Sequence, residues 1–413
     1  MAENEKLPPR NAVDPATRLA RFADERGLAA MLRLASQLHH GSLELELPDG
    51  TRRTFKGAEP GPHALLRLRS GRVARRYLAG GGVGFAEGYI EGDWDTPDLA
   101  GLLALLSSNE VGWGDGYWGG FWQRALRRAT HVLRPNTRGG SRRNIHAHYD
   151  LGNEFFAAWL DPTMTYSSAL FAEGAEDLEA AQRLKYRNLA QQIAVGPGQR
   201  LLEIGSGWGG FAITAAKEFG ARVTSITVSR AQAEHARARV FREGLAEQVE
   251  ILLQDYRDVK GRFDKIASIE MFEAVGERFW PAYFRTLQER LLPDGAAGLQ
   301  LITIADRYFE AYRRNVDFIQ AYIFPGGMLP SPAALDREAA KAGLVRTAEL
   351  GFGPSYARTL ALWNERFQQA WPRVREAGFD ERFRRIWTYY LAYCQAGFET
   401  GAIDVVQTVL RPA

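Results

Sequence analysis

RLLEIGSGWGG, residues 200–210, decides how the rest of the chain is read. Leu201, Leu202 and Ile204 make a short apolar run of the kind that forms a buried strand, and glycines follow at once. Gly205, Gly207 and Gly210 give the spacing G-x-G-x-x-G between that strand and the helical run FAITAAKEFG, residues 211–220. Glycine there accepts positive φ and lets a ligand approach bare backbone at the start of a helix. Nicotinamide, flavin and S-adenosylmethionine (SAM) sites all use this spacing, so the strands that follow must discriminate between them. The second strand, ARVTSITVS (221–229), ends in Thr227, Val228 and Ser229, where a dinucleotide site places an acid for the ribose. The acid lies instead inside the first strand, at Glu203, and a third strand, VEILLQD (249–255), brings Asp255 to the same edge. That order suits SAM better than NAD.

At 413 residues the chain is long enough for two domains. Its 46% hydrophobic and 11% aromatic content is that of a globular protein, and a net charge of +3 is too small to imply nucleic acid. One cysteine, Cys394, excludes a disulfide framework and a cysteine-rich metal site. No apolar run reaches the ~20 residues needed to span a bilayer, and the polar start MAENEKLPPR has no signal-peptide core. The expected location is the cytoplasm, with peripheral contact to the inner face of the membrane.

Residues 1–15 read as a disordered lead. A helical pattern from Ala16 to about Leu38 precedes GSLELELPDGTRRTFKG, whose alternation around Asp49-Gly50 predicts a hairpin. Residues 16–110 are expected to form a small α+β domain. Residues 111–143 form a linker that gathers seven arginines (124, 127, 128, 134, 138, 142 and 143), with no acid between Trp122 and Arg143. A solvated linker and a patch for anionic lipid head groups are equally good readings of that run. Residues 144–413 follow as the catalytic domain. His146, His148 and Asp150 precede a helix start without further ligands nearby, which favours capping over metal binding. From 176 to 305 strands and helices alternate as a doubly wound parallel α/β sheet requires. The fourth strand, FDKIASI, runs into Glu270 and Glu273, at the sheet edge where such folds bind ligands. The strand GLQLITIAD ends near Ile302 and Ile304, and residues 307–330 carry aromatics for a core helix and an apolar wall.

The pieces HAHYDLGNEFFAAWLD, MTYSS, LLEIGSGWGGFA, TVSRAQ, LLQDYRD, MFEAVG, YIFPGGMLPS and WTYYLAYCQAGF occur in that order between about 144 and 412. In this the chain resembles the cyclopropane fatty acyl phospholipid synthases and mycolic acid cyclopropane synthases. The resemblance implies SAM-dependent transfer of a methyl or methylene group to the cis double bond of an unsaturated phospholipid acyl chain. The expected product is of the cyclopropane type, with a methylene- or methyl-branched chain as the alternative. A homodimer and an N-terminal domain that helps hold lipid are implied as well.

Carried over position by position, the resemblance has Tyr166 and Ser167 cap SAM, Gly205 and Gly207 line its methionine part, and Thr227 and Gln232 meet the ribose. Tyr256 stands beside the adenine. Glu203, Ser206, Gly209 and Asp255 complete the expected cofactor site. Family members hold a bicarbonate ion as base, and its ligands correspond to Ser168, Glu273, Ile302, Ile304 and Tyr356. The family commonly has cysteine at Ser168 and histidine at Ile302, and Ala274 replaces the histidine after the MFE glutamate. Cys394 matches a recurring cysteine and is a further catalytic candidate, although its aromatic helical setting favours a buried structural thiol. Two rival readings are a SAM methyltransferase for small molecules or nucleic acid, and a lipid-binding protein without catalysis. The aromatic wall and small charge weigh against the first, the intact SAM loop and Glu273 against the second.

Overall fold

The computed structural model describes residues 27–29, 31–109, 151–175 and 177–413. The expected disordered lead, the arginine run from Arg124 to Arg143, and His146, His148 and Asp150 lie outside the described residues. Residues 27–29 and 31–36 are helical and lead into a four-stranded sheet. Its strands are β1 (His40–Glu46), β2 (Arg52–Lys56), β3 (Glu59–Leu68) and β4 (Trp94–Asp95), in the order β2-β1-β3-β4. The hairpin turns at Asp49-Gly50 as expected. Gly50 has φ +83°, and β1 and β2 pair antiparallel from Glu46 opposite Arg52. The alternation in β1 and β3 puts Leu43, Leu45, Ala64, Leu66 and Leu68 on one buried face. Helices Arg72–Ile90 and Leu99–Ser108 pack there, the first kinked at Gly81, which takes φ +56°.

The larger sheet has seven strands: β5 (Arg200–Ile204), β6 (Arg222–Thr227), β7 (Val249–Leu253), β8 (Phe263–Ile269), β9 (Leu291–Ile304), β10 (Leu344–Gly351) and β11 (Ile403–Pro412). They lie in the order β10-β11-β9-β8-β5-β6-β7. β7, β6, β5, β8 and β9 are mutually parallel, and β11 enters antiparallel between β9 and β10. Helices Leu178–Gln192, Gly210–Phe219 and Arg230–Arg242 bury their apolar sides on one face, and Trp280–Arg290 and Pro332–Lys341 on the other. This is the doubly wound α/β fold expected from the alternation of elements.

Two features depart from the sequence reading. β9 begins at Leu291, ahead of GLQLITIAD, because a register shift between Phe263 and Lys265 of β8 absorbs the Pro293-Asp294-Gly295 stretch as a bulge. The C-terminal segment ends in strand β11, which the sequence reading does not contain and whose Val405–Leu410 stretch is buried throughout. The two long helices Gly353–Glu376 and Glu381–Glu399 stand over the sheet's carboxyl edge and are rich in aromatic side chains. Trp363, Phe367 and Trp387 are each no more than 2% exposed, and they join Phe155, Trp159 and the buried face of β1 and β3 in one apolar cluster. Among the described residues no helix is long and apolar enough to cross a membrane.

Candidate active site

A cavity of about 460 Å³ opens at the carboxyl ends of β5, β6 and β8. The glycine loop forms one wall. Gly205, Gly207 and Gly209 all have positive φ, +100°, +48° and +88°, which a side chain rarely tolerates. The N–H groups of Gly205 and Ser206 both donate to the Ile226 carbonyl, tying the loop to β6. The loop's glycines have different reasons to be glycine. A Cβ at Gly210 would lie 2.6 Å from the Tyr186 hydroxyl, whereas a Cβ at Gly207 would meet no atom within 4 Å. Gly210 is bare because protein packs against it. Gly207 is bare beside open cavity, which suits a ligand lying on the backbone.

Glu203 is 2% exposed at the end of β5, and the Ser225 hydroxyl lies 2.5 Å from its Oε2 and 2.7 Å from Ser206 Oγ. Burial pushes its pKa up to about 8, against the pull of Ser225. An incoming ammonium group would draw such a carboxyl into its charged form. Thr227 donates to Gln232 Oε1 and accepts from the Ser229 N–H, so both ribose candidates are aligned at one point. Asp255 faces the cavity, but its carboxylate is engaged by Arg257: Oδ1 accepts from Nε at 2.8 Å, and Oδ2 from Nη2 at 2.6 Å. Tyr256 lines the cavity beside it, edge-on to Tyr283.

The opposite wall is the loop from Asp161 to Ser168. Met164 there takes φ +54°. Tyr166 packs on Trp363 and Phe156, and its hydroxyl bonds to that of Tyr390. Ser167 is held from behind by helix Leu178–Gln192: Gln182 Nε2 donates to its carbonyl, and Lys185 Nζ lies 2.5 Å from its hydroxyl. Lys185 has no exposed surface, and burial pulls its pKa down to about 7 against the attraction of Glu270 and Asp161. Nothing in the sequence reading pointed to this lysine. Its place in the run AAQRLKYRNLAQQ is that of an ordinary helical charge.

Between the walls lie the two glutamates. Glu270 follows β8 at φ +47°, an uncommon conformation for a side-chain-bearing residue. Its Oε1 accepts from the Ser168 N–H at 2.8 Å and from Gln300 Nε2 at 2.8 Å, and its Oε2 from the Tyr356 hydroxyl at 2.7 Å. The Glu273 carboxylate accepts from the Ile302 N–H at Oε1, at 2.6 Å, and its Oε2 has no partner among the described residues. Both keep surface toward the cavity while the protein encloses them. Burial raises both pKa values. For Glu270, Lys185 and three donors counteract the rise, whereas the Glu270 charge adds to it for Glu273, which reaches about 8. The Lys185 charge and the three donors favour the charged form of Glu270, whereas Glu273, with a single donor and a neighbouring carboxylate, is pushed toward its protonated form.

The donors that the resemblance implies for the base site have partners within the protein. The Ser168 N–H and Tyr356 hydroxyl are taken by Glu270, the Ile302 N–H by Glu273, and the Ile304 N–H by the Pro330 carbonyl. Among the described residues these donors are engaged with protein oxygens, and the Glu273 Oε2 is the implied ligand atom left without a partner. Glu270 stands out in the sequence as a glutamate at a strand end; its three donors come from distant segments and cannot be read there. Cys394 and Ile304 line the cavity as apolar wall, and burial pushes the Cys394 thiol up, holding it protonated. No cluster of three or more metal-ligating side chains occurs among the described residues.

Comparison with known proteins agrees with this geometry. A family profile described as mycolic acid cyclopropane synthetase matches residues 137–408. Tuberculostearic acid methyltransferase UfaA1 of Mycobacterium tuberculosis is 41% identical over 385 residues, 90% of this chain and 88% of that one. The cyclopropane-fatty-acyl-phospholipid synthase of Escherichia coli is 36% identical over 356 residues, 83% of this chain and 87% of that one. The crystal structure of mycolic acid cyclopropane synthase CmaA1 with SAH and CTAB superposes with a TM-score of 0.62 at 32% identity, covering 65% of this chain and 97% of that one. The glycine loop, the buried acid of β5 and the enclosed apolar cavity are thus those of a SAM-dependent methyltransferase, and the chain belongs to the mycolic acid cyclopropane synthetase family.

Proposed function

We propose that this enzyme transfers the methyl group of SAM to the cis double bond of an unsaturated phospholipid acyl chain and releases a methylene-branched chain, with Glu270 as the base. The observation that supports this reading is the Glu270 carboxylate bound to Ser168, Gln300 and Tyr356, where the family resemblance implies a bicarbonate ion. The relative named as a tuberculostearic acid methyltransferase supports methylation without ring closure.

SAM, when bound, supplies an electrophilic methyl group. The residues of this chain do the rest. Gly205–Gly210 and Glu203 orient the cofactor, and the 161–168 loop closes over it. The aromatic wall keeps water out and presents π faces to the positive charge that develops on the acyl chain; Tyr356, Tyr390 and Phe398 all line the cavity. A new carbon–carbon bond forms at one alkene carbon as the sulfur–methyl bond breaks and S-adenosylhomocysteine leaves with the electron pair, so the cation lies at the other alkene carbon. A hydride shift moves that charge to the methyl-bearing carbon. Loss of a proton from the new methyl group to Glu270 then leaves a methylene branch on the chain. A base tethered to the protein has a fixed position, and position decides which proton leaves.

The test is incubation with methyl-labelled SAM and a cis-monounsaturated phospholipid, followed by proton NMR of the released fatty acids. Vinylidene signals carrying the label are expected. Cyclopropane methylene signals would refute the product, and label found only in a small molecule or nucleic acid would refute the substrate class.

A further inference from the structure

The cavity does not end at the reacting groups. Beyond Tyr356 it continues past Ala396 and Phe398 of helix Glu381–Glu399, which packs on helix Leu99–Ser108, and reaches Leu103 and Leu106. It then meets the apolar face of the small sheet at Leu43, Leu45 and Leu66. These three leucines are 4%, 1% and 3% exposed, and Leu103 is 6%, so buried apolar side chains line this end, with Leu106 half-buried beside them. Protein interiors are normally close-packed, and an apolar void joined to a reaction centre is ligand space. The family profile starts at residue 137, so this end is built by residues outside it.

We infer that the face formed by Leu43, Leu45, Leu66, Leu103 and Leu106 is the subsite for the methyl-terminal segment of the substrate's acyl chain, and so fixes how far beyond the double bond the chain extends. The inference rests on the proposed acyl substrate. The terminal segment is the part of a phospholipid that an end lined by buried leucines can accept, because the head group has to remain hydrated. In this arrangement the N-terminal sheet acts as a stop against which chain length is measured.

Two experiments test it. In the first, a cis-monounsaturated phosphatidylglycerol with a diazirine at the acyl terminus is bound to the full chain with SAH, irradiated, and mapped by peptide mass spectrometry. Insertion in peptides containing residues 40–68 or 99–108 is expected. Insertion confined to residues 144–413 would overturn the assignment, whether or not the protein turns the lipid over. In the second, two phospholipids share the carboxyl-to-alkene spacing and differ by four carbons beyond the alkene. Leu106→Trp should lower the long-chain rate at least about tenfold more than the short-chain rate, the scale set by losing a few buried methylenes. Leu66→Ala, which adds space, should shift the ratio toward the longer chain. Equal effects on both lipids in both variants would overturn the inference. Absence of turnover on any unsaturated lipid by the unaltered enzyme would instead defeat the proposed function, leaving the crosslinking result to decide the subsite.

Discussion

The glycine loop at 205–210 and the carboxylate cluster at Glu270 occupy the same edge of one sheet and are built on opposite principles. The loop works by omission: three glycines hold positive φ, Gly207 among them leaves open space, and backbone N–H groups anchor the loop to β6. The cluster works by addition. Glu270 is held by Ser168 from the capping loop, Gln300 from β9 and Tyr356 from helix Gly353–Glu376. A site made of absent side chains should fail at once when one is supplied. A site made of several hydrogen bonds should fail by degrees unless the central carboxylate itself is removed.

The sharpest way to break that contrast is Gly207→Val. A Cβ there meets no protein atom, so the fold should persist. The branched side chain enters ligand space and must also hold a left-handed backbone, at about 1–2 kcal/mol. Calorimetry should show SAM affinity weakened at least about a hundredfold, the scale of a blocked site rather than of a lost contact. Undiminished binding would remove the loop from the cofactor site.

Glu270→Gln comes next. It keeps the shape and removes the base, so kcat should fall roughly a thousandfold, as loss of a general base does. SAM affinity should stay within about threefold, well under the tenfold that 1.4 kcal/mol represents. Near-normal product formation by this variant would return the proton-accepting role to another group.

Tyr356→Phe sharpens the comparison at smaller scale. Removing the donor to Glu270 Oε2 destabilises its charged form by about 1.5–3 kcal/mol, the worth of a hydrogen bond to an ion. Glu270 has to be ionised to accept a proton, so a higher pKa moves the rising limb of the pH–rate profile to higher pH, by about one unit or more. A drop in rate with an unmoved limb would show that Tyr356 acts by shape alone.

How much of this was legible in the sequence follows the same division. The SAM loop could be read because its signal is local: strand, glycines and helix lie within twenty residues, and glycine has a distinct backbone meaning. The hairpin at Asp49-Gly50 and the parallel sheet were readable for the same reason. Strand β11 was not, because an antiparallel insertion between β9 and β10 depends on what those strands leave open rather than on its own pattern. Lys185 was invisible for a related reason: only the fold shows that its helix turns that face to Ser167 and Glu270. The family resemblance pointed to Ser168, Glu273 and Tyr356 but assigned them an external ion. The carboxylate that engages two of them, Glu270, lies three residues before Glu273 in the same strand-end motif.

The smallest effect concerns stability. The Glu273 pKa is raised by folding from 4.5 to about 8, so the folded state binds the extra proton between those values. Stability should therefore fall as pH rises from about 4.5 to 8 and then level off, with a loss of at most a few kcal/mol at one pKa unit per about 1.4 kcal/mol. Glu273→Gln cannot ionise and should flatten that slope, seen as a Tm gain over the unaltered enzyme at pH 8 that vanishes at pH 4.5. An identical pH dependence in both proteins would show that Glu273 titrates freely.

The central claim is that a carboxylate of the protein, rather than bicarbonate, takes the proton. It is tested most directly by single-turnover rates in buffer stripped of carbon dioxide, with and without added bicarbonate, for the unaltered enzyme and Glu270→Gln. The account predicts that the unaltered enzyme is indifferent to bicarbonate, and that Glu270→Gln is slow in both buffers. Loss of rate on stripping, restored by bicarbonate in the unaltered enzyme, would contradict it.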